Sequence, residues 1–129
     1  MNHNLPVPRP PAHVQVYVDV LGIDLTIDLL MTLGGSECYF AQNPRGGSAV
    51  ERVIGPTKTA EMARCLPQLS VRIPTARPWL AQVFHARGMS VVEICRKLHV
   101  TDVAVRKYLK TAQARADHHQ RDPRQMRLF

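Results

Sequence analysis

The stretch from Arg87 to Lys110 reads RGMSVVEICRKLHVTDVAVRKYLK and holds two short amphipathic segments separated by a three-residue turn. Ser90 and Glu93 form a capping box, because the serine oxygen can accept from the Glu93 amide while the Glu93 carboxylate reaches back. This box predicts the start of a first helix. Thr101 or Asp102 is expected to cap a second helix directly after the turn.

The spacing of small and apolar residues in this stretch predicts how the two helices pack. Helices joined by so short a turn cross steeply, which calls for a small residue on the first helix, an apolar residue in the turn and two on the second. The residues that meet these requirements are Cys95, Val100, Val105 and Tyr108. Glycine usually occupies the first position of such a turn, because it tolerates a left-handed backbone. Here that residue is His99, which must either adopt the left-handed conformation or avoid it. We therefore predict a helix-turn-helix.

The outer face of the second helix carries groups suited to the major groove of DNA. Arg106 is expected to pair with guanine, Ala104 to meet a thymine methyl and Asp102 to accept from cytosine. We expect basic side chains and the backbone amides at the start of the first helix to contact DNA phosphates. For Lys97 and Lys110 the alternative is that they are solvated surface residues without a DNA contact. The candidate DNA-binding residues are Ser90, Arg96, Lys97, Thr101, Asp102, Ala104, Arg106, Lys107 and Lys110.

The distribution of charge points to the same half of the chain. Residues 1–75 contain six basic and six acidic residues, whereas residues 76–129 contain eleven basic and four acidic ones. The second half thus carries the whole formal charge of +7. A solvated surface alone does not explain this segregation, so we expect a half that binds a polyanion and a neutral half with another task.

Glycine, proline and capping residues divide the remainder into short elements, and we expect a mainly α fold. A small helical half with one or two short strands precedes the helix-turn-helix domain. The predicted helix boundaries are a start at Pro11, breaks at Gly22, Gly34-Gly35 and Gly55-Pro56-Thr57, a cap at Ser48, an end at Pro67, and a helix from Pro78 to Ala86 followed by Gly88. The predicted regions are 1–11, a disordered proline-rich arm; 12–75, a dimerisation or structural domain; 76–112, the DNA-binding domain; and 113–129, a flexible basic tail.

Two segments of the neutral half have the character of strands. Residues 36–40 have the character of a short strand and precede a turn-forming segment at residues 43–47, and residues 68–73 alternate apolar and polar side chains before Pro74 closes the strand. Their exposed edges invite pairing with a second copy of the chain, which would make this half a dimerisation platform. Pairing of the two strands within one chain is an equally good alternative.

The remaining chemistry-bearing residues do not form a recognisable site. The cysteines, Cys38, Cys65 and Cys95, are odd in number and widely separated, so we expect reduced thiols, no metal and no cofactor. Acidic residues of the neutral half stand singly, without a nucleophile and base pair, and that half is short for a recombinase domain. We therefore do not expect an enzyme. Without a long apolar run or a signal-peptide pattern, we expect no membrane association and a cytoplasmic, nucleoid-associated protein.

The last five residues, QMRLF, resemble the peptides with which replication and repair proteins dock into the bacterial sliding clamp. In such peptides a glutamine and a terminal Leu-Phe pair enter adjoining pockets. The residues assigned to this role are Gln125, Met126, Leu128 and Phe129. The alternative is a tail that folds back on the core or stays free.

Taken together, the motifs resemble the Mor/C family of transcription activators of Mu-like phages. The resemblance rests on Leu33-Gly34-Gly35 leading into a strand, on Val71-Arg72-Ile73-Pro74, and on Gly88 to Leu109 as the helix-turn-helix. It implies a homodimer of prophage or mobile-element origin that regulates transcription. Each subunit would read one half-site in double-stranded DNA, with RNA polymerase as a further partner.

Two functions follow as expectations. The first is a dimeric, sequence-specific transcription regulator that reads the major groove with the helix around residues 102–110. The second is a replication or recombination accessory protein that binds DNA and, through residues 125–129, the sliding clamp of DNA polymerase.

Overall fold

The computed structural model describes residues 7–120 of the chain, in which five helices accompany one pair of short strands. In chain order the elements are α1 (Ala12–Leu33), β1 (Glu37–Tyr39), α2 (Ala49–Cys65), β2 (Ser70–Arg72), α3 (Arg77–Ala86), α4 (Val91–Leu98) and α5 (Asp102–Gln120). The prediction of a mainly α fold with one or two short strands is confirmed. Two compact units are present, one of residues 10–76 and one of residues 77–120 together with residues 7–9.

Glycine interrupts both helices of the 10–76 unit, at the positions that the sequence predicted. Gly22 within α1 has φ 80° and ψ 167°, and Gly55 within α2 has φ 85° and ψ 162°. This left-handed backbone costs glycine little, since it has no Cβ. A buried threonine one turn later donates to each glycine carbonyl, Thr26 Oγ1 to Gly22 O at 2.7 Å and Thr59 Oγ1 to Gly55 O at 2.8 Å.

A capping box opens α2 at the predicted residue. Ser48 Oγ accepts from the Glu51 amide at 3.1 Å, while Glu51 accepts from the Ser48 amide at 3.2 Å and from the Gly46 amide at 2.6 Å. The carboxylate therefore ties the preceding loop to the first turn of the helix. Hydrogen bonds from the Ser48 side chain and from the Gly46 and Ser48 backbones lower the pKa of Glu51 below its ordinary value.

The two strands pair with each other inside one chain. They are antiparallel, with Glu37 opposite Arg72, Cys38 opposite Val71 and Tyr39 opposite Ser70. Both lie within the longer segments predicted from the sequence. Of the two pairings that the sequence left open, the structure shows the intramolecular one.

The core of the 10–76 unit lies between α1, α2 and the sheet. Its aromatic part is the tilted pair Tyr17 and Phe40, whose ring centroids are 6.5 Å apart. The other buried apolar residues are Val14, Leu21, Ile27, Leu29, Leu30, Val50, Ile54, Met62, Ala63 and Ile73.

In the second unit α3, α4 and α5 pack against one another around a separate core. The amide of Gly88 bonds to His85 O and that of Met89 to Phe84 O, which ends α3 as the sequence predicted. Buried Gln82 of α3 donates to the Tyr108 carbonyl of α5 at 3.1 Å. The buried apolar residues are Trp79, Leu80, Ala81, Val83, Phe84, Ile94, Leu98 and Val105.

Two expectations about chain ends need correction. The arm predicted as disordered over residues 1–11 makes a defined contact at Pro8, whose carbonyl accepts from the indole of buried Trp79 at 2.9 Å. The flexible tail predicted from residue 113 is helical as far as Gln120, because α5 continues through it. Ala112, Ala114 and Ala116 favour that continuation.

A helix that spans a bilayer is both long and apolar, and no helix within residues 7–120 has both properties.

Candidate nucleic-acid interface

The predicted capping box at the start of α4 is present. Ser90 Oγ accepts from the Glu93 amide at 3.2 Å, and the Glu93 carboxylate accepts from the Ser90 amide at 3.2 Å. Hydrogen bonds from the Ser90 backbone and side chain, together with the positive charge of Arg96, lower the pKa of Glu93. Ser90, proposed from the sequence as a DNA contact, thus already engages its amide and its oxygen in the cap.

A sharp turn separates α4 from α5. His99, the first residue of the turn, adopts the left-handed conformation with φ 56° and ψ 48°. Its amide and that of Val100 both point to the Cys95 carbonyl, which ends α4. Of the two possibilities that the sequence left for His99, the structure shows the left-handed one.

Thr101 closes the turn by capping α5. Its hydroxyl oxygen accepts from the Ala104 amide at 3.1 Å, and Asp102 follows as the first helical residue. The carboxylate of Asp102 suits this place, because the first turn of a helix carries a partial positive charge. Thr101 is therefore the cap, which settles the alternative between Thr101 and Asp102.

Burial fixes which side of each helix faces inward. Ile94 and Leu98 of α4 and Val105 of α5 are buried, whereas Cys95 and Val100 are only partly covered. The packing predicted from the sequence is therefore present at Val105, whereas Cys95 and Val100 are less buried than predicted. Tyr108 is also half-buried, and its backbone carbonyl accepts from Gln82.

The outward face of α5 brings together most of the predicted DNA-binding residues. Successive residues of an α-helix are rotated by about 100°, so side chains two residues from buried Val105 point almost directly away from the core. Arg106, Lys107 and Lys110 are exposed, and Ala104 is partly exposed. Every basic residue between Arg77 and Lys110 is exposed, which makes this unit a cationic surface.

Arg106 and Asp102 form an ion pair on this face. Arg106 Nη1 lies 2.9 Å from Asp102 Oδ2, with the two side chains 68% and 54% exposed. An exposed pair of this kind is worth no more than about 1 kcal/mol. It orients the guanidinium, and breaking it costs little free energy.

The two predicted cations of α4 have different surroundings. Arg96 is exposed in the last turn of the helix. Lys97 is also exposed, but its Nζ lies 5.2 Å from the centroid of the Phe84 ring, a cation–π contact between α4 and α3. The sequence did not anticipate this second role for Lys97.

Val103 is an apolar residue at the surface of α5. It is 69% exposed and lies beside Ala104 and Arg106 on the outward face of α5. The exposure of Val103 could have been predicted from the sequence. Val103 and Val105 are separated by about 200° around the helix, so only one of them can face the core. An exposed valine here is a candidate partner for a thymine methyl group.

Other predicted sites give a simpler result. The residues assigned to clamp binding, Gln125, Met126, Leu128 and Phe129, lie outside residues 7–120. Within the described part of the chain no cluster of three or more histidine, cysteine, aspartate or glutamate side chains has an arrangement that could hold a metal ion. The free cysteines are Cys38, Cys65 and Cys95.

The surface of α4, the turn and α5 thus combines a tightly capped frame with exposed cations and an exposed apolar side chain. No protein-family model matches the chain, and no curated protein and no solved structure shows significant similarity to it.

Proposed function

We propose that the unit of residues 77–120 binds double-stranded DNA and that the protein is a sequence-specific regulator of transcription. The observation that carries this proposal is the left-handed turn at His99, which joins α4 to α5 while Val105 is buried and Val103, Arg106 and Lys107 face outward. A helix held in this way by a neighbouring helix is the usual reader of the major groove.

Base recognition falls to the first two turns of α5. Arg106 exchanges its bond to Asp102 for the O6 and N7 acceptors of a guanine, where a bidentate contact is worth about 1–3 kcal/mol of discrimination. Val103 and Ala104 supply apolar contacts that favour thymine. The released Asp102 carboxylate then accepts from the amino group of a neighbouring cytosine, as the sequence suggested.

Phosphate contacts supply affinity without sequence preference. Arg96, Lys107 and Lys110 are exposed cations on the two helices and supply these contacts. Lys97 joins this set only if DNA displaces its contact with Phe84. We assign the protein no catalytic step, and binding to the chromosome would place it in the nucleoid.

Transcription control is the role that the Mor/C resemblance implies, and RNA polymerase is the further partner proposed with it. Prophage or mobile-element origin belongs to the same proposal. Regulation would follow from occupation of a site near a promoter.

Selection of bound sequences from a random duplex pool, followed by footprinting, tests the proposal. We expect one preferred motif. Arg106→Ala should remove about 1–3 kcal/mol of preference at one base pair, whereas Lys107→Ala should weaken all duplexes alike and flatten the salt dependence.

A matched control is Arg64→Ala, which removes the same charge from an exposed position of the 10–76 unit. Its DNA affinity should equal that of the parent chain. Equal losses for Arg64→Ala and Arg106→Ala, or the absence of any preferred motif, would contradict the proposal.

A further inference from the structure

The 10–76 unit consists of two segments in which equivalent residues are always separated by the same number of positions along the chain. This constant offset makes Gly22 of the first segment equivalent to Gly55 of the second. Each of these glycines interrupts its helix with nearly the same φ and ψ. The same offset carries Thr26 onto Thr59, and each threonine is fully buried and donates to the carbonyl of its glycine. Two helices therefore share one uncommon break and one device that stabilises it.

The sheet obeys the same offset. Cys38 and Val71, the central cross-strand pair, are equivalent positions of the two segments. The Phe40 amide donates to Leu69 O and the Ile73 amide donates to Ser36 O, each at 2.8 Å. Phe40 is equivalent to Ile73, and Ser36 is equivalent to Leu69. The two hydrogen bonds are therefore equivalent as well. This reciprocity is the mark of a two-fold axis, here passing between the central pair.

The core follows the repeat as well. Besides the two threonines, both residues are buried at five apolar offset positions, although their side chains differ in size and shape. These pairs are Tyr17 and Val50, Leu21 and Ile54, Leu29 and Met62, Leu30 and Ala63, and Phe40 and Ile73. Burial, backbone and hydrogen bonding thus agree on one symmetry.

We infer that residues 12–74 are a tandem duplication of one helix–strand repeat, whose copies pair about an internal two-fold axis as the subunits of a homodimer do. In an isologous dimer, residue i of one subunit meets residue j of the other, and the reverse. Here both halves of that interface belong to one chain. The strand pairing that would otherwise join two copies of the protein is already made.

Within residues 7–120 the duplicated unit is accompanied by a single helix-turn-helix, and this has a consequence for DNA recognition that rests on the proposed function. A dimeric reader places two recognition helices about one helical turn of DNA apart, on a palindromic site. One chain of this protein pairs internally, and the part of it that the structure describes carries one recognition helix, α5. Its DNA site is therefore a single, non-palindromic half-site bound by one chain.

Sedimentation equilibrium of the full chain at micromolar concentration tests the internal pairing. We expect a single species of 14.5 kDa. A species of twice that mass over the whole range would overturn the inference.

A thiol cross-link distinguishes pairing within a chain from exchange of strands between chains. Val71→Cys places a second thiol opposite Cys38, at a separation that suits a disulfide or a short bis-maleimide, in a background of Cys65→Ser and Cys95→Ala. We expect a cross-linked monomer on a non-reducing gel. A covalent dimer would mean that strands are exchanged, and the same variant with Cys38→Ser is the control.

Titration of the selected duplex above its dissociation constant tests the single site. We expect a break at one chain per duplex and one protected patch in the footprint. Two chains on two patches about 10 base pairs apart would overturn the single-site inference and leave the proposed function standing. Failure to bind any duplex would overturn both, while mass and cross-linking would still decide the duplication.

Discussion

The carboxylate of Asp102 lies 2.9 Å from the guanidinium of Arg106, one turn further along the exposed face of α5. The acceptor that holds the arginine is therefore also an anion on the surface proposed to meet phosphates. The pair orients Arg106, and on the proposed function its carboxylate would oppose the approach of DNA.

Replacing Asp102 by asparagine should strengthen binding to an unrelated duplex. The change removes one negative charge and releases Arg106, so we expect the dissociation constant to fall about fivefold, which corresponds to about 1 kcal/mol. Fluorescence anisotropy at fixed salt measures it. The exposed Asp28→Asn in α1 is the matched control, and an Asp102→Asn affinity no higher than that of this control would count against the assigned surface.

Val103→Ala and Val105→Ala form a matched pair on one helix. Val105 is fully buried, so its truncation should lower the free energy of unfolding by about 2 kcal/mol. Val103 is 69% exposed, so its truncation should change that free energy by less than about 0.5 kcal/mol. It should nevertheless weaken the preference for thymine at one position of the selected motif. Urea denaturation and binding to single-base variants of the motif measure the two effects, and a stability loss at Val103 would argue against its placement.

His99→Gly should stabilise the protein, because a left-handed backbone is strained for histidine and not for glycine. We expect the free energy of unfolding to rise by about 1 kcal/mol, as measured in urea. His85→Gly is the control within helix α3, where glycine should instead lower stability by a few tenths of a kcal/mol. Destabilisation at both positions would contradict the described turn.

Acid should loosen both capping boxes. Glu51 and Glu93 have folded-state pKa values below the ordinary 4.5, so their contribution to stability is present above that pH and is lost as the pH falls through the folded values. We therefore expect the difference in unfolding free energy between the parent chain and Glu93→Gln to shrink below pH 4.5. A difference independent of pH from neutral to strongly acidic solution would exclude a role for the Glu93 charge in the cap.

Deleting residues 125–129 separates the two functions predicted from the sequence. We expect DNA affinity to be unchanged, because every residue assigned to DNA contact lies between Ser90 and Lys110. Binding of the full chain to purified sliding clamp, lost on deletion, would support the accessory function. Weaker DNA binding after the deletion would instead place the chain end on the duplex.

Local signals predicted most of the elements correctly. Ser48 and Ser90 with their glutamates mark two helix starts, and Gly22 and Gly55 mark two breaks. These signals work because a cap or a left-handed residue is decided within one turn of chain. The helix-turn-helix frame was predictable for the same reason, since its spacing lies within one short stretch.

Features that depend on distant residues were not predictable in the same way. The sequence left strand pairing open because Cys38 and Val71 meet only through the intervening fold. Few residues are identical between the two repeats, so their constant offset becomes visible only when backbone breaks and strand register are compared. The contact of Trp79 with Pro8 is likewise invisible to periodicity.

That contact makes Trp79 a natural spectroscopic probe. It is the only indole in the sequence, it is buried, and its N–H is held by a backbone carbonyl of the arm. Its emission should therefore shift to longer wavelength when the three-helix core opens, while Tyr17 and Tyr39 report on the 10–76 unit through tyrosine absorbance. With Tyr108 replaced by phenylalanine, loss of order in each unit can thus be observed separately without any added label.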